Sequence, residues 1–179
     1  MTAPGTIPGR LVQVVYNKVL ADDLSDPLVA ALKEAGIDLR AISESYARQT
    51  WYRGIELAGA ALYGSDAPEQ QRHKLGRHLI ECLQTRQLIR GPWLSMAKLM
   101  GPRRALRQAA DFGATSSPVH FHIIDKGSRE LEVVVEDDQQ LEFLTGMLES
   151  LVQILGGRDP KVSVRSVAAA RATFSLSWR

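Results

Sequence analysis

The spacing of apolar residues changes once along this chain, and that change limits the folds open to it. Up to about residue 110 the spacing is helical. Trp51, Ile55, Ala58 and Leu62 follow at intervals of four, three and four, which is one helix face. From residue 118 the period is two. Val119, Phe121 and Ile123 alternate with His120, His122 and Ile124, and Leu131, Val133 and Val135 alternate with Glu130, Glu132 and Glu136. Between the two regimes, residues 111–117 turn to Gly, Ala, Thr and Ser, with Pro118 after them. A helical half followed by a half-apolar sheet predicts an α+β domain, because each apolar face must be covered by another element.

Punctuation residues refine the helical half. Residues 11–15 read either as a short strand or as the start of a helix reaching about Leu24. Asp26-Pro27 opens a helix, with Asp as N-cap and Pro in the first turn, and Gly36 closes it. A longer helix is predicted from Ser43 to Tyr63. Another starts at a capping box of Asp66 and Glu69 and runs to about Gln87, burying Leu75, Leu79, Cys82 and Leu83. Two short helices follow, opened by Gly91-Pro92 and Gly101-Pro102.

The second half reads as strand, strand, helix, strand, strand. A hairpin around Asp125-Lys126-Gly127-Ser128 pairs Phe121 with Val133 and Ile123 with Leu131. The helix covers about 138–155, with Leu141, Leu144, Leu148, Leu151 and Leu155 as its stripe, and Gly156-Gly157 end it. Val162 and Val164, then Ala172, Phe174, Leu176 and Trp178, face the core from the last two strands. The expected architecture is a helical half (10–110) packed on a four-stranded antiparallel sheet (118–179) in one domain, with residues 1–9 as a flexible tail.

Composition excludes several classes. A chain of 179 residues with 45% hydrophobic side chains buries a core without staples. A single cysteine, Cys82, rules out an internal disulfide and any Cys-x-x-Cys site. No apolar run is long enough to span a bilayer, and residues 1–9 lack the basic and apolar regions of a signal peptide, so a cytoplasmic setting is expected. The net charge of +2 hides a cancellation. Residues 69–110 carry nine basic side chains against two acidic ones, residues 125–150 eight acidic against two basic, and residues 151–179 five basic against one acidic. Such blocks either face each other within the fold or present a basic face to an acidic partner.

With these elements assembled, a resemblance becomes visible. Asp26-Pro27, Ala35-Gly36-Ile37-Asp38-Leu39, Leu75-Gly76-Arg77, Gly101-Pro102-Arg103-Arg104 and the closing Ser177-Trp178 resemble an uncharacterised paralogous family expanded in myxobacteria, over roughly residues 10–178. That resemblance implies a fold and a bacterial setting but no activity. The layout is also similar, more distantly, to haem nitric-oxide/oxygen-binding sensor domains and to vinyl-reductase-like small-ligand domains. In those haem sensors a His on a helix before the sheet ligates iron, and a Tyr-x-Ser-x-Arg motif holds the propionates. Here no His lies between 79 and 119 and no Tyr-x-Ser-x-Arg occurs. The resemblance therefore implies a pocket between helices and sheet, without haem and with no other cofactor.

Few residues offer chemistry of their own. His120 and His122 share a strand face at a spacing that can ligate zinc, but the ordinary reading is an exposed polar pair with His122 opposite Glu132. His73 and His78, five apart on a helix, do not share a face. Cys82 reads as a small buried hydrophobe with no base in view. Arg103, Arg104 and Arg107 open a short helix. Their guanidiniums suit carboxylate or phosphate, so they answer the acidic segment internally or bind an anion or acidic partner. Trp51, Trp93 and Trp178 are core residues or cavity walls.

No catalytic constellation emerges. The reading is a non-enzymatic regulatory or interaction module that binds a protein partner, with homodimerisation open to it. One alternative is a small-molecule sensor with an apolar pocket and no haem; another is a DNA-associated factor using the basic 69–110 segment.

Overall fold

The computed structural model describes residues 6–86, 91–116, 121–136, 140–168 and 171–179. The elements run β1 (Thr6–Pro8), α1 (Gly9–Val14), a π-helical turn (Val15–Val19), a 3-10 turn (Ala21–Asp23), α2 (Asp26–Glu34), β2 (Ser45–Ala47), α3 (Arg48–Tyr63), α4 (Pro68–Thr85), α5 (Gly91–Ser116), β3 (Phe121–Gly127), β4 (Glu130–Glu136), α6 (Leu141–Ile154), β5 (Lys161–Ala168) and β6 (Arg171–Ser177). The fold is α+β, as the change of period predicts. One antiparallel sheet has the order β3-β4-β6-β5, and a small two-stranded sheet joins β1 to β2.

Several boundaries move for local reasons. Residues 6–9 are not a tail: β1 pairs with β2, and Ile7 is buried. Residues 1–5 lie outside the described residues. Residues 11–15 take the helical alternative. The N-cap of α2 is Ser25, one residue before the expected Asp26, and its hydroxyl oxygen accepts from the Leu28 amide. α3 starts at Arg48 because Ser45–Ala47 are extended against β1. Asp66 does not cap α4; its carboxylate pairs with Lys74 instead. The helical half continues to Ser116, through the segment where the composition shifts, while the two expected Gly-Pro helices are both present, joined end to end in α5 across a kink at Gly101. There φ is 76°, a left-handed value that glycine adopts without the penalty of a Cβ.

The hairpin register differs by two residues. Phe121 lies opposite Val135, Ile123 opposite Val133, Ile124 opposite Glu132 and His122 opposite Val134. The turn is only Ser128–Arg129, with a bulge between Asp125 and Gly127, instead of the four residues expected. A slip of two leaves every side chain on its face, so the apolar side still points inward. On the outer face, Arg165 emerges from a bulge in β5 and reaches across β6 to Glu132 of β4, which Lys126 also approaches at 3.0 Å. The Lys126 ammonium holds the Glu132 carboxyl below the usual range, helped by the Arg165 charge.

The core has two parts. One packs α1 to α4 around Tyr16, Leu32, Ile55 and Leu75, and the other packs the sheet around Leu131, Phe174 and Leu176. Trp51 belongs to the first and Trp178 to the second, while the side chain of Trp93 lies outside the described residues. Val164, expected in the core, is 40% exposed on the edge strand. The two parts meet where α4 crosses α6, the most extensive helix contact in the molecule. A Cβ on Gly76 would run into the Phe143 carbonyl, and one on Gly146 into the His73 carbonyl. The two helices therefore touch backbone to backbone.

Two predictions follow from this packing. Alanine normally stabilises a helix by about 1 kcal/mol over glycine. At this crossing overpacking wins, so Gly146→Ala and Gly76→Ala should each destabilise by about 2–4 kcal/mol. Urea unfolding checks this, and a neutral or stabilising result refutes the crossing. Because the folded pKa of Glu132 lies below its unfolded value, the stability it adds is complete above pH ~4.3 and is lost as pH falls through the folded value. Glu132→Gln should therefore lose stability less steeply in acid than the parent, as read by circular dichroism at stepped pH.

Candidate functional site

Between α6 and the inner face of the sheet lies a cavity of about 180 Å³. The sheet contributes Phe121, Ile123, Val133 and Val135, and α6 contributes Leu144, Met147, Leu148 and Leu151. Ile80 of α4 and Leu106 of α5 also line it. Among the described residues no charged or hydrogen-bonding side chain lines it, and the Met147 thioether is the most polar group of that lining.

The cavity follows from how α6 is held. This helix is apolar on two faces. Phe143, Gly146 and Ser150 are buried on the side of the α4 crossing, and Leu144, Leu148 and Leu151 look toward the sheet. Of the leucine stripe that the sequence marks as core, Leu155 is buried, but Leu144, Leu148 and Leu151 are only half-buried, because they wall a space instead of filling one. A cavity of about 150 Å³ lined by aliphatic and aromatic side chains stays dry and takes up benzene or xenon. This one is of the size and polarity to hold one small apolar molecule. The sequence marked the wall residues of the sheet and the α6 leucines, but not Ile80, Leu106 or Met147, nor the gap between them.

The charged residues fall largely into internal pairs. Arg103 Nε donates to Asp125 Oδ2 at 2.8 Å, and Arg107 lies 3.6 Å from the same oxygen. The Arg103 guanidinium holds the Asp125 carboxyl below the usual range. Arg104 is exposed and pairs with no acid among the described residues. Along the α4–α6 seam, Arg72 meets Glu142 at 3.3 Å, and Glu149 meets His73 at 3.0 Å and Arg77 at 3.6 Å. The basic 69–110 segment and the acidic 125–150 segment thus face each other within the fold. His122 is exposed on β3, opposite Val134 and not Glu132; His120 lies outside the described residues.

Cys82 has a neighbour that the sequence reading did not find. His78, one turn earlier on α4, places Nε2 3.4 Å from Sγ. The same nitrogen lies 3.0 Å from Asp23 Oδ2. The i, i+4 spacing of His78 and Cys82 was available in the sequence; the approach of Asp23 was not. In a nucleophile–base–acid relay the carboxylate and the thiol engage different ring nitrogens. Here both engage Nε2, so the arrangement is not a relay. Burial, followed by the Asp23 charge, pushes the Cys82 thiol up, which opposes thiolate chemistry.

Solved structures of similar fold are H-NOX domains. One, from work on the mechanism of H-NOX activation, has a TM-score of 0.69 at 14% identity, covering 97% of this chain and 97% of that chain. The H-NOX protein from S. oneidensis in its Fe(II)NO state has a TM-score of 0.62 at 12% identity, covering 97% and 99%. Unliganded Fe(II) H-NOX from K. algicida has a TM-score of 0.59 at 8% identity, covering 97% and 97%. At such identities the likeness is one of fold. No curated protein matches the chain.

H-NOX domains carry haem, and the residues here do not fit it. Among the described residues the cavity lining offers no imidazole, thiol or phenol to iron, and no cation to the propionates. Its volume suits one aromatic ring, not the four linked pyrroles of a porphyrin. The family model described as "Protein of unknown function (DUF2378)" matches residues 6–179, and with the match running through both halves and across the α4–α6 seam, the chain belongs to that family.

Proposed function

We propose that this protein is a non-catalytic small-molecule sensor whose ligand is an apolar molecule about the size of one aromatic ring. The observation that carries the reading is the apolar cavity between α6 and the sheet. The H-NOX-like fold supports it, since solved proteins of that fold bind haem, one of them in an Fe(II)NO state. In the proposed mechanism the ligand presses on Leu106 of α5 and on the leucines of α6. A ligand that favours one position of these helices shifts the population toward it. The helix break at Gly101, five residues before Leu106, gives α5 a point about which its second half turns.

A protein partner would then read the change. Met96 and Leu99 stand exposed on the first half of α5, the latter 90% exposed, and form a small apolar patch beside the break. We place the protein in the cytoplasm, where a lone thiol stays reduced. No helix among the described residues is long and apolar enough to cross a membrane. DNA binding is the weaker reading, because Arg72, Arg77, Arg103 and Arg107 already face carboxylates of the same chain.

Two experiments test the reading. Indole or benzene at roughly tenfold its Kd should raise Tm by about 3–6 °C for a domain of this size. Leu148→Trp, which fills the cavity, should reduce that shift to below about 1 °C. A parent protein that gives no shift with either probe overturns the proposal. Separately, haemin added to the purified protein should give no stoichiometric Soret band; a saturable band would restore haem as the ligand.

A further inference from the structure

On the face of α4 turned away from the cavity wall at Ile80, three side chains of different chemistry converge. His78 and Cys82 stand one turn apart on the helix, and Asp23 ends the 3-10 turn packed beside it. One oxygen, one nitrogen and one sulfur all lie within 4.8 Å of one another. A tetrahedral zinc with bonds of about 2.0–2.3 Å holds its ligand atoms roughly 3.3–3.7 Å apart. The two shortest separations here, 3.0 and 3.4 Å, are close to that spacing before any ion draws the groups together.

We propose that Asp23, His78 and Cys82 form a site for a single divalent transition-metal ion, with zinc as the chemical match. The convergence of carboxylate and sulfur on one ring nitrogen is the observation that carries it. A single proton on Nε2 satisfies one of the two neighbours, whereas a metal ion at their meeting point satisfies all three. The donor set of thiolate, imidazole and carboxylate suits zinc and excludes magnesium and calcium, which take oxygen ligands.

Surrounding residues fit the assignment. All three are partly buried, which leaves room for water or an exchangeable group in a fourth position, the pattern of an open zinc site. Tyr63 and His78 pack edge to face at 6.4 Å between centroids, which limits how the imidazole turns. Arg86 is engaged by Asp22 at 2.7 Å and also lies within hydrogen-bonding reach of the Cys82 sulfur. An ion held here ties the N-terminal turn at Asp23 to α4, the helix that carries Ile80 of the cavity wall.

Cobalt(II) titration of the full, tag-free chain tests the site. Cys82 is the chain's single cysteine, so any thiolate-to-cobalt charge-transfer absorbance reports on it alone. The expected result is a near-ultraviolet charge-transfer band with visible bands of tetrahedral intensity. They should saturate at one cobalt per chain and be displaced by zinc. Cys82→Ser should abolish the charge-transfer band, and His78→Gln and Asp23→Asn should each weaken affinity at least about tenfold, the least that disturbing a metal's surroundings costs. Zinc should also slow alkylation of Cys82 in the unmutated chain, a readout independent of whether a variant folds. Absence of a charge-transfer band in the unmutated chain overturns the proposal. So does a band of the same affinity in folded His78→Gln and Asp23→Asn.

Discussion

The backbone contact between α4 and α6 at Gly76 and Gly146 is the joint on which the rest of the molecule depends. It is reciprocal: each glycine faces a carbonyl of the other helix, so neither position tolerates a side chain without parting the helices. The helical core closes on one side of this joint, through Leu75 and Leu79, and the sheet lies on the other. Helix α6 is sequence-local to the sheet but packs with the helical half. That is why the chain folds as two cores sharing one seam.

Fixing α6 against α4 also explains the cavity. A helix drawn to one neighbour at backbone distance cannot also press its opposite face fully into a second layer unless the side chains there are large enough to reach. Leu144, Leu148 and Leu151 reach only partway and remain half-buried. The sheet, α4, α5 and α6 all contribute to its lining, so a guest in it would touch all of them together.

Charge follows the same seam. Most of the pairs are half-exposed and individually worth little, by about 0–1 kcal/mol each. Their value lies in orientation: basic α4 and acidic α6 attract along their length, and Arg103 and Arg107 fasten α5 to the start of the sheet through Asp125. The near-neutral total is thus the sum of segments that neutralise one another in place, which leaves little uncommitted positive surface on the basic helices.

Much of the fold was legible in the chain. The switch of period from helical to alternating determined the class, the order of elements and the inward residues Leu131, Val133, Val135, Phe174 and Leu176, because burial follows local spacing whatever the partner. Glycines 36 and 156 marked helix ends for the same local reason. What spacing could not give was anything set by contact between distant segments. The hairpin register was missed because a turn and a bulge of different length preserve the same alternation. The strand at Thr6–Pro8 depends on a partner about forty residues away. The leucine stripe looked like solid core because a sequence records which faces are apolar, not how far apart they stand. Cys82 and His78 were one turn apart in plain view, yet only the packing of the Asp23 turn against α4 brought the carboxylate oxygen to them. The sequence by itself determined which surfaces must be covered; the tertiary structure decided how closely, since a close approach at two glycines and a gap at three leucines differ in distance and not in pattern.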